Sequence, residues 1–548
     1  MTTSSIAPTP FSEIPGFPNL YLDYISEFEN VSEYFKTNFR DASSYENLFK
    51  KISSKPGAVQ QQVEKIIIRQ YSKYLPSEIT QKNISLLGKP NTLSIITGQQ
   101  LGILGGPLYT IYKIITAIKL AESIKKKHPA YNFVPVFWME TEDHDFEEIR
   151  HTSIVDDKSE IKKISYEQIA ESEDDPMSTG TIKISGVIND FFEQFEASIR
   201  KTDFTADILD QLKRFYTEGR TFKDAFRDLL FYLFDNYGLI VFDPQDIAVK
   251  ALLKDVFVKE ITDYRAHTSK LIERSAKLEE IYHAQVKVKP VNLFFMHEEK
   301  RYAILPDETG GFKLRRKRIK FTTEELLLLA ENHPEKFSPN VLLRPICQDT
   351  LFNTAAYVAG PSEVSYFAQV MPLYDFFNIP APIIYPRSSA TLMEKHNIDF
   401  LNKSNIRFKD LFLKQDSLLE LAIANVMPFN FNTHFTDAEA EIISTMSKLR
   451  DNLSIIDKTT GDSSEKYKVK MISALAEYKA KALVAEKAKH EVLIKKTQKI
   501  LNTIYPNGNL QERVFNFFGY ANRYGLELIS KIYDSLDETN ISHQIIEL

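Results

Sequence analysis

Residues 140–149, ETEDHDFEEI, hold the densest set of side chains that could do acid–base chemistry. Asp143 and Asp145 flank His144, and a histidine titrates near neutral pH. Such a set could bind an amine or a sugar and transfer protons. A permanent metal is not predicted, because no His or Cys other than His151 recurs at a recognised ligand spacing. The alternative is that the acidic residues cap the N-terminus of a helix, and the two roles are compatible.

A glycine-rich turn at residues 98–106 is the second candidate site. Four of the 18 glycines of the chain lie here, between an apolar run and a helix-like segment. The turn is not a P-loop, because no Gly-Lys-Ser/Thr follows, and the G-x-G-x-x-G spacing is absent. Its amides and the helix dipole favour an anion, although the glycines could serve tight packing alone. The residues predicted to bind substrate here are Gly98, Gln99, Gln100, Gly102, Tyr109 and Lys113.

Two later segments, LLRPICQDTLFNTAAYVAGPSEVSYFAQV and YPRSS, add polar and charged side chains. An arginine that follows a strand could clamp a carboxylate. The only cysteine, Cys347, has no obvious histidine partner, so it is interpreted as a small buried residue and not as a nucleophile. The residues predicted to bind substrate in these segments are Gln348, Asp349, Glu363, Arg387 and Ser388.

Short apolar runs precede all of these candidates and predict the strands that position them. A strand, a helix and a second strand fit between residues 92 and 138, which is typical of a parallel sheet with a right-handed crossover. Ligands bind at the carboxyl ends of such strands, so the polar segments after the runs should converge on one crevice. The five predicted strands are TLSIIT, FVPVFW, GLIVFD, AAYVAG and APIIYP.

The remaining segments differ in pattern from this predicted core. The N-terminal 90 residues are typical of helices, and two polar or alternating regions read as insertions between core segments. The predicted organisation is 1–90 helical, 91–150 core, 151–235 insertion, 236–280 core, 281–340 second insertion, 341–435 core, 436–505 coiled coil and 506–548 helical.

The coiled coil is predicted from apolar residues that step by four and three. After a break predicted at TTGDSSE, a second long helix should run to Pro506. Two antiparallel helices that protrude from a globular body usually find a partner, so we expect a homodimer or docking onto the core. The residues of the seam are Ile442, Met446, Leu449, Leu453 and Ile456.

Charge and hydropathy exclude several classes of protein. The net charge of −6 gives no global attraction to nucleic acid or to an anionic membrane. The N-terminus has neither the basic region nor the apolar core of a signal peptide, and no apolar stretch approaches a membrane span. With one cysteine, no intramolecular disulfide can form. A cytoplasmic protein that binds neither nucleic acid nor membrane is therefore expected.

Four segments together resemble the bacillithiol biosynthesis cysteine-adding enzymes. They are ITGQQLGILGGPLYTIYK, PVFWMETEDHDFEEI, LLRPICQDTLFNTAAYVAGPSEVSYFAQ and LQERVFNFFGYANRYG, and the likeness spans nearly the whole chain. The resemblance implies an α/β fold with a Rossmann-like parallel sheet core, inserted connecting domains and a C-terminal helical coiled coil used for dimerisation. The implied relatives in fold are the class I aminoacyl-tRNA synthetases and nucleotidyltransferases.

The resemblance also implies an activity, the last step of bacillithiol synthesis. L-cysteine is joined through its carboxyl group to the amine of glucosaminyl malate. The turn amides, Lys113 and Arg387 suit the carboxylates of that substrate. Its hydroxyls and amine suit the two glutamines and the two aspartates named above, while His144 or a nearby carboxylate could deprotonate the ammonium.

Activation of the cysteine carboxylate stays open at the level of sequence. ATP is the ordinary reagent, yet neither the His-x-Gly-His signature nor the lysine-serine loop of nucleotidyltransferases occurs, so ATP is a candidate without a recognised motif. Two alternatives remain: a nucleotidyltransferase-like enzyme that acts on another small metabolite, and a non-catalytic scaffold with a coiled coil.

Overall fold

The computed structural model describes residues 7–54, 57–167, 177–426 and 431–548. A five-stranded sheet forms the core, with all neighbouring strands parallel in the order β12-β11-β1-β2-β5. Its strands are β1 (Thr92–Gln99), β2 (Asn132–Met139), β5 (Ile240–Phe242), β11 (Thr354–Ala359) and β12 (Ile383–Pro386). These five coincide with the predicted apolar runs, so the predicted fold class is confirmed.

The central strands are continuous apolar runs because both faces of the sheet are covered. Phe137 packs into a cluster on one face and the adjacent Trp138 into a cluster on the other. A parallel sheet between helical layers needs such two-sided burial. The helices next to the strands are α5 (Leu108–Lys127), α10 (Ile247–Glu279), α12 (Arg344–Leu351) and α13 (Pro361–Phe377).

Within the described residues, four α-helices precede the first strand and pack against the core. Aromatic side chains contribute to this contact; the rings of Phe49 and of Phe133 in β2, for example, meet edge to face with centroids 5.2 Å apart. Tyr24 also donates its hydroxyl to the carbonyl of Ile384 in β12, 2.5 Å away. These helices are α1 (Asn19–Ser26), α2 (Ala42–Ser53), α3 (Ala58–Gln70) and α4 (Glu78–Leu87).

Two segments interrupt the alternation of strands and helices. The first holds the antiparallel pair of β3 (His151–Val155) and β4 (Ile161–Ser165), with helices α6 (Phe146–Ile149), α7 (Ile188–Ser198), α8 (Thr205–Phe215) and α9 (Phe222–Phe234). The second is a five-stranded antiparallel sheet in the order β10-β6-β7-β8-β9. It contains β6 (Leu293–His297), β7 (Lys300–Pro306), β8 (Phe312–Leu314), β9 (Lys320–Phe321), α11 (Thr323–Asn332) and β10 (Phe337–Pro339).

The chain beyond the core sheet begins and ends with the strands of a separate two-stranded sheet. Strand β13 (Ser389–Met393) pairs in parallel with β14 (His543–Glu547). Between them lie α14 (Lys395–Lys403), α15 (Gln415–Val426), α16 (Phe431–Ile456), α17 (Lys458–Lys489), α18 (Glu491–Ile504), α19 (Gln511–Val514), α20 (Phe517–Tyr524) and α21 (Leu528–Ser535). Across the described residues, no helix combines the length and hydropathy needed to cross a membrane.

Helices α16 and α17 form a long antiparallel hairpin, but its bend differs from the predicted one. The predicted break, TTGDSSE, is helical, and the chain turns at Asp457. The Asp457 carboxylate accepts from the amide of Thr460 at 2.6 Å and so caps α17. A side chain at Gly461 would collide with Ser454, so this glycine lets the two helices approach closely at the bend. The predicted second helix is also interrupted, at His490.

Candidate active site

A cleft of about 570 Å³ opens at the carboxyl ends of the parallel strands. Four of the five strand ends contribute to its lining, as the strand-end rule predicts. The fifth, residues 243–246 after β5, does not. Strand β5 is at the edge of the sheet, and Asp243 is engaged there by Lys223, with its carboxylate 3.0 Å from the ammonium. The second inserted segment closes the opposite side of the cleft.

Lys113 lies at the base of the cleft and is committed to internal contacts. Its ammonium donates to the carbonyl of Gly98 at 2.9 Å and to Oε1 of Gln99 at 3.0 Å, and it lies 2.5 Å from Glu363. Burial lowers the pKa of this lysine, and the Glu363 carboxylate partly offsets that effect. Gln99 in turn donates to the Tyr109 hydroxyl at 3.1 Å. Five predicted residues, including Gly98 through its carbonyl, thus form one network that fixes the ends of β1 and β11.

Gln100 connects the glycine turn to the acidic segment. Its amide nitrogen donates to Oδ2 of Asp143 at 2.5 Å and also to a carboxylate oxygen of Glu148. With both amide hydrogens committed, the carbonyl oxygen of Gln100 is left to accept a bond. Burial raises the pKa of Glu148. The two clusters predicted separately from the sequence therefore form one wall of the cleft.

The glycine turn serves packing more than ligand binding. Gly98 lines the cleft, but Gly102 does not, and a Cβ at Gly102 would lie 2.7 Å from the Cα of Gly106. The N-terminus of α5 is also covered, since Leu108 donates its amide to the carbonyl of Phe515 at 2.9 Å. The predicted anion site at this helix terminus is therefore occupied by the protein's own C-terminal segment.

Asp145 caps helix α6, as the alternative interpretation of the acidic segment predicts. Its carboxylate accepts from the amide of Glu148 at 3.1 Å, and the residue does not line the cleft. Asp143 and His144 do line it. Among the described residues, no group of three or more His, Cys, Asp and Glu side chains is arranged to hold a metal ion.

His144 contacts an arginine from the second insertion. Nη1 of Arg301 lies 3.2 Å from Nδ1 of the imidazole ring. Burial and the charge of Arg301 lower the pKa of His144, against the opposite effect of Asp143 and Asp145. Arg301 lies 157 residues from His144, so no local sequence pattern predicts this contact.

A second arginine, Arg344, pairs with a carboxylate that the prediction did not select. Nε of Arg344 lies 3.1 Å from Oε1 of Glu140, the first residue after β2. Burial raises the pKa of Glu140 to about 7, and Arg344 opposes that shift. Gln348 lies beneath the cleft and accepts from Arg344 at 2.9 Å, while its amide donates to Asp349 at 2.8 Å. The two predicted binding residues Gln348 and Asp349 therefore support Arg344 from the interior and do not line the cleft.

Of the last two predicted residues, which follow β12, one lines the cleft and the other does not. Arg387 lines the cleft, with its guanidinium carbon 5.4 Å from the centroid of the Tyr109 ring. Ser388 does not line it, because its amide donates to Thr116 at 3.1 Å inside the protein. Three exposed cations complete the rim of the cleft: Lys287, Lys289 and Arg513. They were not predicted, because none of them follows one of the five predicted strands.

Residues 6–388 match the family model "Bacillithiol biosynthesis BshC, N-terminal Rossmann-like domain", and residues 390–548 match "Bacillithiol biosynthesis BshC, C-terminal coiled-coil domain". The chain is 32% identical over 539 residues to "Putative cysteine ligase BshC" of Salinibacter ruber, with 98% of each chain covered. It is 35% identical over 538 residues to the protein of the same name from Chloroherpeton thalassium, with 95% of each covered. A solved structure named as a putative arginyl t-RNA synthetase from Campylobacter jejuni covers 82% of this chain and 97% of that chain at 9% identity and a TM-score of 0.22, which supports no argument.

Proposed function

The chain belongs to the bacillithiol biosynthesis BshC family, and from that premise we propose that it is a cysteine ligase. The proposed reaction joins the carboxyl group of L-cysteine to the amine of glucosaminyl malate through an amide bond, as the last step of bacillithiol synthesis. The near full-length match to relatives named as cysteine ligases supports the reaction class.

The observation that carries the choice of substrate is the mixture of charges in one cleft. Glucosaminyl malate presents two carboxylates, several hydroxyls and an amine. Lys287, Lys289 and Arg513 line the rim, and no ion pair involving them occurs in the part of the chain that the structure describes. These cations suit the malate carboxylates. Asp143 and Glu140, which line the same cleft, suit the ammonium.

The predicted site residues divide into two roles under this proposal. Five of them line the cleft and contact the substrate: Gln99, Gln100, Asp143, His144 and Arg387. Lys113 and Glu363 also line it, but their mutual ion pair makes them supports for the wall. Five further predicted residues do not line the cleft and act only through neighbouring groups: Gly102, Asp145, Gln348, Asp349 and Ser388.

Formation of the amide requires an activated cysteine carboxyl group, because a free carboxylate does not release oxygen to an amine. We propose that ATP supplies this activation. The unpaired rim cations of the cleft suit phosphate groups as well as carboxylates. Release of phosphate or of pyrophosphate in a reaction dependent on both cysteine and the amine would distinguish an acyl phosphate from an adenylate.

We also propose that the protein is a homodimer and that the α16–α17 hairpin forms the contact. Phe435 and Tyr478 lie with ring centroids 6.0 Å apart, so aromatic side chains join the two helices within the hairpin. Of the predicted seam, Ile442, Met446 and Leu453 are partly buried. Apolar side chains nevertheless remain exposed on both helices, including Leu449 at 45% and Met471 at 46%. A second copy of the hairpin would cover them.

The proposed reaction can be tested with purified protein, L-cysteine, glucosaminyl malate and ATP. Mass spectrometry should show the cysteine adduct, and glucosamine without the malate group should react poorly. Deletion of the gene should remove bacillithiol from cell extracts and let glucosaminyl malate accumulate. An unchanged thiol profile, or pyrophosphate exchange that depends on another metabolite and not on cysteine, would contradict the proposal.

A further inference from the structure

Arg301 is held rigidly where it meets His144. The guanidinium donates through Nε to Ser338 at 2.9 Å and through Nη2 to the carbonyl of Pro339 at 2.7 Å. It also lies over the ring of Phe294, 3.7 Å from its centroid. The side chain is 6% exposed. Its third donor, Nη1, is therefore fixed in position toward Nδ1 of His144, 3.2 Å away.

This contact determines which nitrogen of His144 carries the proton. A guanidinium group has only donors, so Nδ1 must accept the bond. The neutral ring then carries its hydrogen on Nε2 and presents a donor there. Asp143 does not reverse this arrangement, because its Oδ1 lies 3.6 Å from Nδ1 and accepts from the backbone amide of His144 at 2.7 Å. His144 is thereby suited to donate a hydrogen bond and not to accept a substrate proton.

Glu140 lines the same cleft and has an oxygen free to accept a proton. Arg344 pairs with Oε1, while no group of the described residues donates to Oε2. The Glu140 carboxyl is embedded among charges of both signs, and a general base works best when its pKa lies near the working pH. The charged groups that face it are Lys113, Arg301, Arg344, Glu142, Asp143 and Glu363.

We infer that Glu140 is the base that takes the proton from the substrate ammonium, and that Arg301 is a positioning residue that holds His144 as a hydrogen-bond donor. This inference rests on the proposed function, in which an amine is the nucleophile. In the step, one N–H bond of the ammonium breaks and one O–H bond forms at Oε2 of Glu140. The products are a neutral carboxyl group and an amine whose lone pair can attack the acyl carbon.

Nitrogen NMR of histidine-labelled protein tests the role of Arg301 without turnover. His144 should give the pattern of a neutral ring protonated at Nε2 near neutral pH, assigned by its loss in His144→Gln. Arg301→Met should move the His144 titration to higher pH and mix the two tautomers. Arg315→Met, at an exposed arginine of the same insertion, should leave both unchanged. A wild-type ring protonated at Nδ1 would overturn this part of the inference.

Kinetics test the role of Glu140. Glu140→Gln should lower kcat by about 10²- to 10⁴-fold, and the remaining rate should rise with pH as the amine loses its own proton. Glu140→Asp should restore part of the rate. His144→Gln, which keeps an amide donor, should lose about tenfold or less and retain the acid limb of the pH profile. Loss of that limb in His144→Gln but not in Glu140→Gln would make His144 the base.

The outcomes separate this inference from the proposed function. If wild-type protein forms no cysteine adduct, the proposed function fails. Carbon NMR of glutamate-labelled protein, assigned with Glu140→Gln, then still shows whether Glu140 titrates near neutral pH in the free protein. If the adduct forms but Glu140→Gln turns over like wild type at every pH, the proposed function stands and the inference fails.

Discussion

Arg387 and Glu512 form a buried ion pair, with Nη2 of the arginine 2.6 Å from Oε1 of the glutamate. Arg387 directly follows strand β12 of the core sheet, whereas Glu512 lies in α19 of the C-terminal segment. The second oxygen of Glu512 accepts from the amide of Ala390 at 3.0 Å. This one carboxylate therefore joins the two regions that match separate family models and fixes an arginine in the cleft wall.

Glu512→Gln should lower the free energy of unfolding by about 3 to 5 kcal/mol, because Arg387 would lose the charge that compensates its burial. Arg387 holds the pKa of Glu512 below its usual range despite burial. A lowered pKa means that the stabilisation is present above the ordinary glutamate pKa and is lost as the pH falls through the folded value. Calorimetry should therefore show the difference at pH 7 and its decrease in acid. Glu527→Gln, at an exposed site, is the control.

Gly102→Ala should reduce the melting temperature as well as activity. The added Cβ meets the backbone of Gly106, 2.7 Å from its Cα, so the turn must shift. Overpacking of this kind typically costs about 1 to 3 kcal/mol. Gly57→Ala is a matched control, because nothing lies within 4 Å of the added atom. Lost activity with unchanged melting would instead return Gly102 to a direct role in ligand binding.

Asp145→Asn should leave turnover near the wild-type value. Asp145 caps α6 through the amide of Glu148, and asparagine caps a helix about as well as aspartate. Asp145→Ala should cost about 1 kcal/mol of stability. Steady-state kinetics with both substrates would check this, and weaker apparent affinity for the amine in Asp145→Asn would place Asp145 in contact with the substrate.

The sheet and one side of the cleft could be predicted from the sequence, because both depend on local patterns. Apolar runs followed by polar residues identify parallel strands and their ends, and they lead directly to Gln99, Gln100 and His144. Contacts that join distant segments leave no such pattern. Arg301 lies in an inserted sheet, so the sequence alone left the base open between His144 and a nearby carboxylate, whereas the arginine contact favours His144 as a hydrogen-bond donor.

Residues that are adjacent in sequence can also differ in whether they line the cleft. Arg387 lines the cleft, while the adjacent Ser388 points inside the protein and bonds to Thr116. Adjacent residues after a strand can face different directions, and only the packed structure shows which of them lines the cleft. The same holds for Gln348 and Asp349, which lie beneath Arg344.

The stability of Glu140→Gln relative to the wild type should increase as the pH rises. Burial raises the pKa of Glu140 from its usual value of 4.5 to about 7. A raised pKa means that stability is full below the ordinary value and is lost as the pH rises through the folded one. The variant has no ionisable group at this position, so it should not lose this stability as the pH rises. The free energy of unfolding of the variant should therefore exceed that of the wild type by about 3 kcal/mol at most above pH 7. Melting temperatures should diverge between pH 4.5 and 7, whereas those of Glu193→Gln, at an exposed site, should not.

The hairpin gives the most direct test of assembly. Leu449 and Met471 are exposed at 45% and 46%, so two glutamates there would place charges in the proposed contact without disturbing the core. Burying an unpaired charge is costly, so the double variant should weaken self-association about a hundredfold or more. Light scattering should show the mass fall from twice 63.1 kDa to a single chain. Lys448→Glu, at an exposed polar position of α16, is the control and should leave the mass unchanged. If the double variant also keeps the mass of a dimer, the two copies associate through another surface. Leu453→Glu should differ from both, because Leu453 is partly buried within the hairpin and its loss should lower helicity as well as association.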